Sequence, residues 1–411
     1  MLKSHKKSIK EILGRSPIHP FPARMAPGIA LEALGEGDKS LRVLDPMVGS
    51  GTVLAVASAK EHQAIGVDID PLAVLLARVW TRPIGATRVR DQAVEVLSQA
   101  KREFRLITSG RAYPLKTDAE TRKFIRYWFD DYARRQLAVL ASVISRTQNK
   151  PDRDLLWCAF SRLIITKQAG ASLAMDLSHS RPHRVFARAP IKPFNRFLGA
   201  VEAVITNCPK ADLDAPEFVA EVKRGDARNL SIKNESIDLV LTSPPYLNAI
   251  DYMRCSKFSL VWMGYTVEQL RKIRGESVGT EISSKEALEA EWVGSTIDQL
   301  KLKPALSNRN RALLARYVWD MGKALSETAR VLRRGGRAVY VVGDSTIRGT
   351  FVRNSMVVTA VAQRHGLSLI SRKSRSLPAN RRYLPAPKRG RSSDAMDTRM
   401  RREVVISFTK P

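Results

Sequence analysis

Short apolar runs rich in β-branched residues recur along the chain, each closed by turn residues. Residues 41–44, 64–68, 237–241 and 337–342 have the length and composition of strands buried on both faces of a sheet. Two further strands are predicted near 367–371 and 403–408. Residues 45–52 form a glycine-rich turn after the first strand, and 53–60 read as a helix leading to the second strand. Pro71 then suits the first turn of another helix. This is a βαβ unit, the building block of a parallel sheet. The stretch FVAEVKRGDARNL predicts a strand ending near Gly225 and Asp226, and the turn from Arg333 to Gly336 introduces the run RAVYVV. Between about 82 and 214 the period changes. TRKFIRYWFDDYARRQLAVLASVI places apolar residues three and four apart, the pattern of a long amphipathic helix. Helices are expected again over roughly 256–332. The organisation predicted is an α/β core in two pieces, 1–81 and 215–411, separated by a helical and basic insertion at 82–214. No internal repeat is present.

Composition narrows the class. Apolar residues make up 44% of the 411, enough for a sizeable core. No apolar run approaches the roughly 18 residues of a spanning helix, and no membrane role is expected. The basic start MLKSHKKSIKEILGRS has neither an apolar stretch nor a cleavage site, so no secretory signal is predicted. Cys158, Cys208 and Cys255 are far apart, which fits a reducing cytosol and neither a disulfide framework nor a zinc site. His179 and His183 lack accompanying carboxylates or cysteines, and no metal site is expected. The formal net charge of +29 alters the picture most. Such an excess costs self-repulsion in the folded state and points to a polyanionic partner, nucleic acid ahead of acidic membrane.

Candidate chemistry sits where the strands end. The turn DPMVGSGT lacks both the GxGxxG spacing of a dinucleotide site and the lysine of a Walker loop. Asp45, at its strand tip, would repel a pyrophosphate but hold an ammonium. Asp68, at the end of the second strand and two residues before Asp70, can accept hydrogen bonds from ribose hydroxyls. Asp226 can take the exocyclic amine of an adenine. A ligand with an amine, a ribose and an adenine but no phosphate fits S-adenosylmethionine. In TSPPY, residues 242–246, the prolines cannot donate to a sheet ladder, so they lie beyond the strand's carboxyl end. Ligands of open α/β sheets bind there.

These segments together resemble the DNA amino-methyltransferases, which modify exocyclic amines of cytosine or adenine. DPMVGSGT resembles their motif I, GVDIDP their motif II, GDARNL their motif III and TSPPY their catalytic motif IV. HPFPARMAP, residues 19–27, resembles motif X, and RGGRAVYVVGDS resembles the stretch after motif IV. The match covers about the first 75 residues and most of the chain from 218, leaving 82–214 without a family motif. The resemblance implies a Rossmann-like, seven-stranded class I methyltransferase sheet with a large helical insertion. It implies S-adenosylmethionine as methyl donor, with Asp45, Gly49 and Gly51 at its methionine portion beside Pro46 and Thr52 of the same motif. Asp68 is then expected at the ribose, Asp226 at the adenine, and Phe21 and Arg24 in motif X. It further implies double-stranded DNA as partner, a prokaryotic cytosol or nucleoid, a monomer or weak dimer, and a separately acting restriction endonuclease as a possible companion.

An exocyclic amine is a poor nucleophile because its lone pair is delocalised into the ring. Two acceptors on its hydrogens would draw it toward tetrahedral geometry. The Ser243 hydroxyl and Pro244 carbonyl are the expected acceptors, with Pro245 fixing the carbonyl's direction. Tyr246 offers a face on which an extruded base stacks. Serine before PPY usually accompanies cytosine N4 in the family and aspartate adenine N6, so cytosine leads and adenine stays open. An RNA amine methyltransferase and a catalytically idle nucleic-acid binder are the rivals. Asp251 and Tyr252 either line the same pocket or serve the core. The basic loop 372–402 is expected to clamp phosphates through Arg381, Arg382, Lys388, Arg389 and Arg391, and residues 181–196, with Arg181, His183 and Arg184, to read sequence.

Overall fold

The computed structural model describes residues 7–22, 24–37, 39–177, 182–211, 219–247, 251–280, 282, 284–347, 350–376 and 402–411. Seven strands, β1 (Arg42–Asp45), β2 (Gln63–Asp68), β3 (Glu221–Arg224), β4 (Ile237–Thr242), β5 (Leu332–Gly343), β6 (Ser368–Ser376) and β7 (Arg402–Thr409), form one sheet. Their order is β6-β7-β5-β4-β1-β2-β3. β1 with β4, β4 with β5, and β2 with β3 pair in parallel, whereas β7 runs antiparallel to both β5 and β6. β4 is central because Leu239, Val240 and Leu241 are all buried, as a strand covered on both faces requires.

Two expectations are corrected at the sheet's edge. β6 continues through residues 372–376, which the sequence assigned to the start of the basic loop, and β7 takes in Arg402 at its end. The charges mislead because β6 is an edge strand, where arginine and lysine stay in solvent, and Arg375 pairs across the ladder with Glu403. The expected turn from Arg333 to Gly336 lies within β5, not ahead of it. Ile237 opposes Leu332 and Leu239 opposes Arg337, so the turn bulges out of the ladder, with Gly335 at φ +71°.

The chain divides into two compact units. The first comprises Met1–Gly35, Val48–Arg224 and Asp251–Arg274. It holds β2, β3 and helices α1 (Ile9–Leu13), α2 (Pro27–Leu34), α3 (Thr52–Ser58), α4 (Pro71–Thr81), α5 (Ala86–Phe104), α6 (Ala119–Trp128), α7 (Asp131–Arg146), α8 (Lys150–Ile164), α9 (Pro193–Ile205) and α10 (Met253–Leu260), with most of α11 (Val267–Glu276). Asp118, Asp130 and Asn149 start α6, α7 and α8 by accepting from the backbone N–H of the third helical residue. The helices of 82–214 share one core with Ile18, Phe21, Leu72, Trp80 and the 253–273 segment. Aromatic edges join it: Phe129 meets Trp262 at 5.2 Å and Trp157 meets Phe160 at 5.1 Å.

The second unit, Glu36–Met47, Gly225–Ile250 and Gly275–Pro411, holds the other five strands and α12 (Lys285–Glu289), α13 (Glu291–Gln299), α14 (Asn308–Val331) and α15 (Asn354–Arg364). Tyr317, Met321 and Leu325 of α14 are fully buried, and the Thr328 and Tyr340 hydroxyls share a 2.7 Å hydrogen bond between α14 and β5. Among the described residues, no helix is long and apolar enough to cross a membrane.

Candidate active site

In the first unit the glycine-rich turn is fastened to β2, where Val48 N–H donates to the Val67 carbonyl at 3.0 Å. Gly51 takes φ +85°, and a Cβ there would stand 2.9 Å from the Ala77 Cα of α4, so only glycine fits. Thr52 follows as the buried first residue of α3. Gly49 N–H donates to Asp68 Oδ2 at 2.8 Å, and Asp70 N–H donates to Asp68 Oδ1 at 2.9 Å. Lost hydration and the nearby Asp70 carboxylate push the Asp68 pKa up to about 7. Asp70 is the N-cap of α4: its Oδ1 accepts from Leu72 N–H at 2.8 Å and its Oδ2 from the Ser256 hydroxyl at 2.6 Å.

Phe21 is buried and stacks on Tyr252, centroids 6.1 Å apart and planes 10° from parallel. Arg24 donates to the His19 carbonyl. The buried His19 imidazole shares a 2.9 Å hydrogen bond with the Ser161 hydroxyl; burial, then the positive Arg162 and Arg24, hold its pKa well below the usual value. Asp251 forms ion pairs with Arg254 at 3.0 Å and Arg274 at 2.6 Å.

In the second unit, Asp45 is buried at the tip of β1, followed by the buried Pro46. Its Oδ1 accepts from the Thr242 hydroxyl at 2.7 Å and from Met47 N–H at 3.1 Å. This bond fixes the end of β4, and the two prolines lie just past it, as their missing N–H groups require. Pro244 is buried, while Ser243, Pro245 and Tyr246 are half-exposed, with the Ser243 and Tyr246 hydroxyls 3.4 Å apart. Asp226 is gripped by Arg228, whose Nε lies 3.0 and 3.1 Å from its two oxygens. Arg228 also donates to the buried Asp320 at 2.6 Å and to the Glu276 carbonyl. Sequence reading missed Arg228 and Asp320. Arginine two residues after the aspartate, in GDARNL, was the available signal for the first; nothing local marks the second.

Arg184 is exposed on a short ribbon pairing Ala174–Met175 with His183–Arg184, its guanidinium 5.2 Å from the centre of the Tyr127 ring. Arg181, Arg381, Arg382, Lys388, Arg389 and Arg391 lie outside the described residues, as does His179. Among the described residues, no group of three or more His, Cys, Asp or Glu could hold a metal ion.

A single antiparallel strand, β7, between β5 and β6, with the glycine-rich turn after β1 and polar groups past the carboxyl ends of β1, β2 and β4, defines a Rossmann-like class I methyltransferase fold. No protein-family model matches the chain. The type II methyltransferase M.MvaI of Kocuria varians is 20% identical over 393 residues, covering 88% of this chain and 84% of that protein. M.AvaI of a Nostoc strain is 22% identical over 412 aligned positions, 90% of this chain and 80% of its own. M.BsoBI of Geobacillus stearothermophilus is 24% identical over 285 residues, 62% of this chain and 53% of its own. Among solved structures, a TehB-like SAM-dependent methyltransferase of Corynebacterium glutamicum aligns over 93% of this chain and 86% of its own, at 11% identity and a TM-score of 0.30. The chain belongs to the DNA amino-methyltransferases.

Proposed function

We propose that this protein is a DNA methyltransferase that transfers a methyl group from S-adenosylmethionine to the N4 amine of a cytosine extruded from the duplex. The observation that carries the reading is the TSPPY segment: a hydroxyl, a proline-directed carbonyl and an aromatic ring, anchored through Thr242 to the buried Asp45. Ser243 Oγ accepts one amine hydrogen and the Pro244 carbonyl the other, which localises the nitrogen lone pair. Tyr246 stacks on the base. These preorganised acceptors act by orientation and electrostatics.

S-adenosylmethionine, when bound, supplies an electrophilic methyl on a sulfonium. The residues present suit such a ligand. Asp68, held by two backbone N–H groups, keeps lone pairs for ribose hydroxyls. Gly49 and Gly51 leave room for close approach, and Asp45 with Pro46 and Thr52 completes the turn. Phe21 and Arg24 serve the same ligand from the motif X segment. Asp226 suits it less directly, because Arg228 already occupies both oxygens. An adenine amine reaches Asp226 only beside that guanidinium or after it turns wholly to Asp320. Arg184 and the arginines of 381–391 supply DNA contacts, and a restriction endonuclease acting separately is the companion expected of such an activity.

Incubation with S-adenosylmethionine bearing a labelled methyl and unmethylated DNA, with bulk tRNA in parallel, tests the reading. Mass spectrometry of the nucleosides should find N4-methylcytosine in the DNA. N6-methyladenine would move the target base, label confined to tRNA would move the substrate, and no label in either would remove the activity.

A further inference from the structure

Helix α10 begins a short way along the chain from Tyr246 and has no side-chain cap at its start. Three apolar side chains of this helix, Met253, Phe258 and Leu260, are buried, and so are Ser256 and Ser259, both fully. A buried hydroxyl in a helix interior packs no better than alanine and costs free energy unless it is bonded. Both are bonded, and to different places. The Ser256 hydroxyl donates to Asp70 at 2.6 Å. Asp70 N–H in turn donates to Asp68, whose other oxygen holds Gly49 of the glycine-rich turn. One turn further along α10, the Ser259 and Ser161 hydroxyls are 2.8 Å apart, and Ser161 bonds to His19. Phe21, two residues beyond His19, stacks on Tyr252 at the start of α10. One helix is therefore tied to both segments assigned to the cofactor, the turn with Asp68 and the stretch from His19 to Arg24.

We propose that Ser256 is a positioning residue that couples cofactor occupancy to binding of the target base, through the unbroken path Gly49, Asp68, Asp70, Ser256, α10. The idea rests on the cofactor and base sites of the proposed function. A ligand that engages the Asp68 carboxylate tightens the geometry of Asp70 and, through a charge-assisted bond, sets α10 and the chain leading into it. Occupancy of one site then favours the other, and the effect is equal in both directions.

The test measures the dissociation constant of S-adenosylhomocysteine, which cannot transfer a methyl group, by calorimetry with and without saturating, sheared, unmethylated DNA. In the native protein the ratio of the two constants should be of order ten. Ser256→Ala should bring the ratio close to one while the constant without DNA moves less, and Ser256→Thr, which keeps the hydroxyl, should restore it. Ser256→Cys, close in volume and a weak donor, should lose most of the ratio and serves if the alanine variant fails to fold by circular dichroism. A native ratio of one, or an undiminished ratio in the alanine or cysteine variant, overturns the coupling. Failure of the native protein to bind the ligand at all overturns the cofactor site itself.

Discussion

Ser243 and Tyr246 carry the reaction if a base amine is held between a hydroxyl, a carbonyl and a ring. Ser243→Ala should lower turnover strongly and leave cofactor affinity intact, since Ser243 is assigned to the base alone; calorimetry and labelled-methyl transfer on one preparation check both. Tyr246→Ala should weaken binding of DNA carrying an abasic-flanked, unpaired cytosine by about 1–3 kcal/mol, the worth of one stacked base. Asp68 gives a pH signature. Its pKa near 7 stands above the ordinary 3.8, so the folded state binds the extra proton between those values. That contribution to stability is full below about pH 4 and is lost as pH rises through 7. Asp68→Asn should remove this slope from urea titrations run at successive pH values. Cofactor affinity, which needs the ionised acceptor, should rise through pH 7 in the native protein. In the variant it should be flat and weaker by about 1.5–3 kcal/mol.

Elements were legible where local chemistry decided them. β1, β2 and β4, the proline start of α4 and the cap role of Asp70 follow from burial period, proline and a short acidic side chain. The far end of β6 was hidden because its partner across the ladder, β7, lies beyond 25 intervening residues, and edge strands tolerate the charges that otherwise signal a loop. The Asp226–Arg228–Asp320 network was hidden for a similar reason: Asp320 comes from α14, distant in sequence. Gly51 permits a test at this scale. Gly51→Ala must accept both a left-handed φ and a 2.9 Å approach to α4, so it should cost about 1–3 kcal/mol of strain before relaxation and shift the denaturant midpoint downward.

For the whole molecule, the excess of positive charge makes DNA affinity steeply salt-dependent. Neutralising Arg381, Arg382, Lys388, Arg389 and Arg391 together should weaken binding to all sequences alike. It should also reduce the slope of log affinity against log salt by about one for each lost phosphate contact. An unaltered slope would show that the segment does not touch phosphates. Arg184→Ala should instead relax discrimination between sites, by about 1–3 kcal/mol at one base pair, with little change in slope. The class of partner was legible from charge alone, whereas the path of DNA over the helices was not, because 82–214 carries no family motif and its surface is set by packing.

Parallel pairing of β2 with β3, in which Ile65 to Asp68 meet Glu221 to Arg224, also has a kinetic side. About 150 residues separate the partners, and closing a loop of that length from an unstructured chain costs roughly 4 kcal/mol of entropy. If the helices between them assemble first, the two ends are already near and most of that cost has been met by helix packing. The order of folding would then place the helical core ahead of the sheet it interrupts. Stopped-flow refolding of Phe160→Ala, a cavity in that core, should show a slower folding limb as well as faster unfolding, while a matching cavity at Ile406 of β7 should act mainly on unfolding.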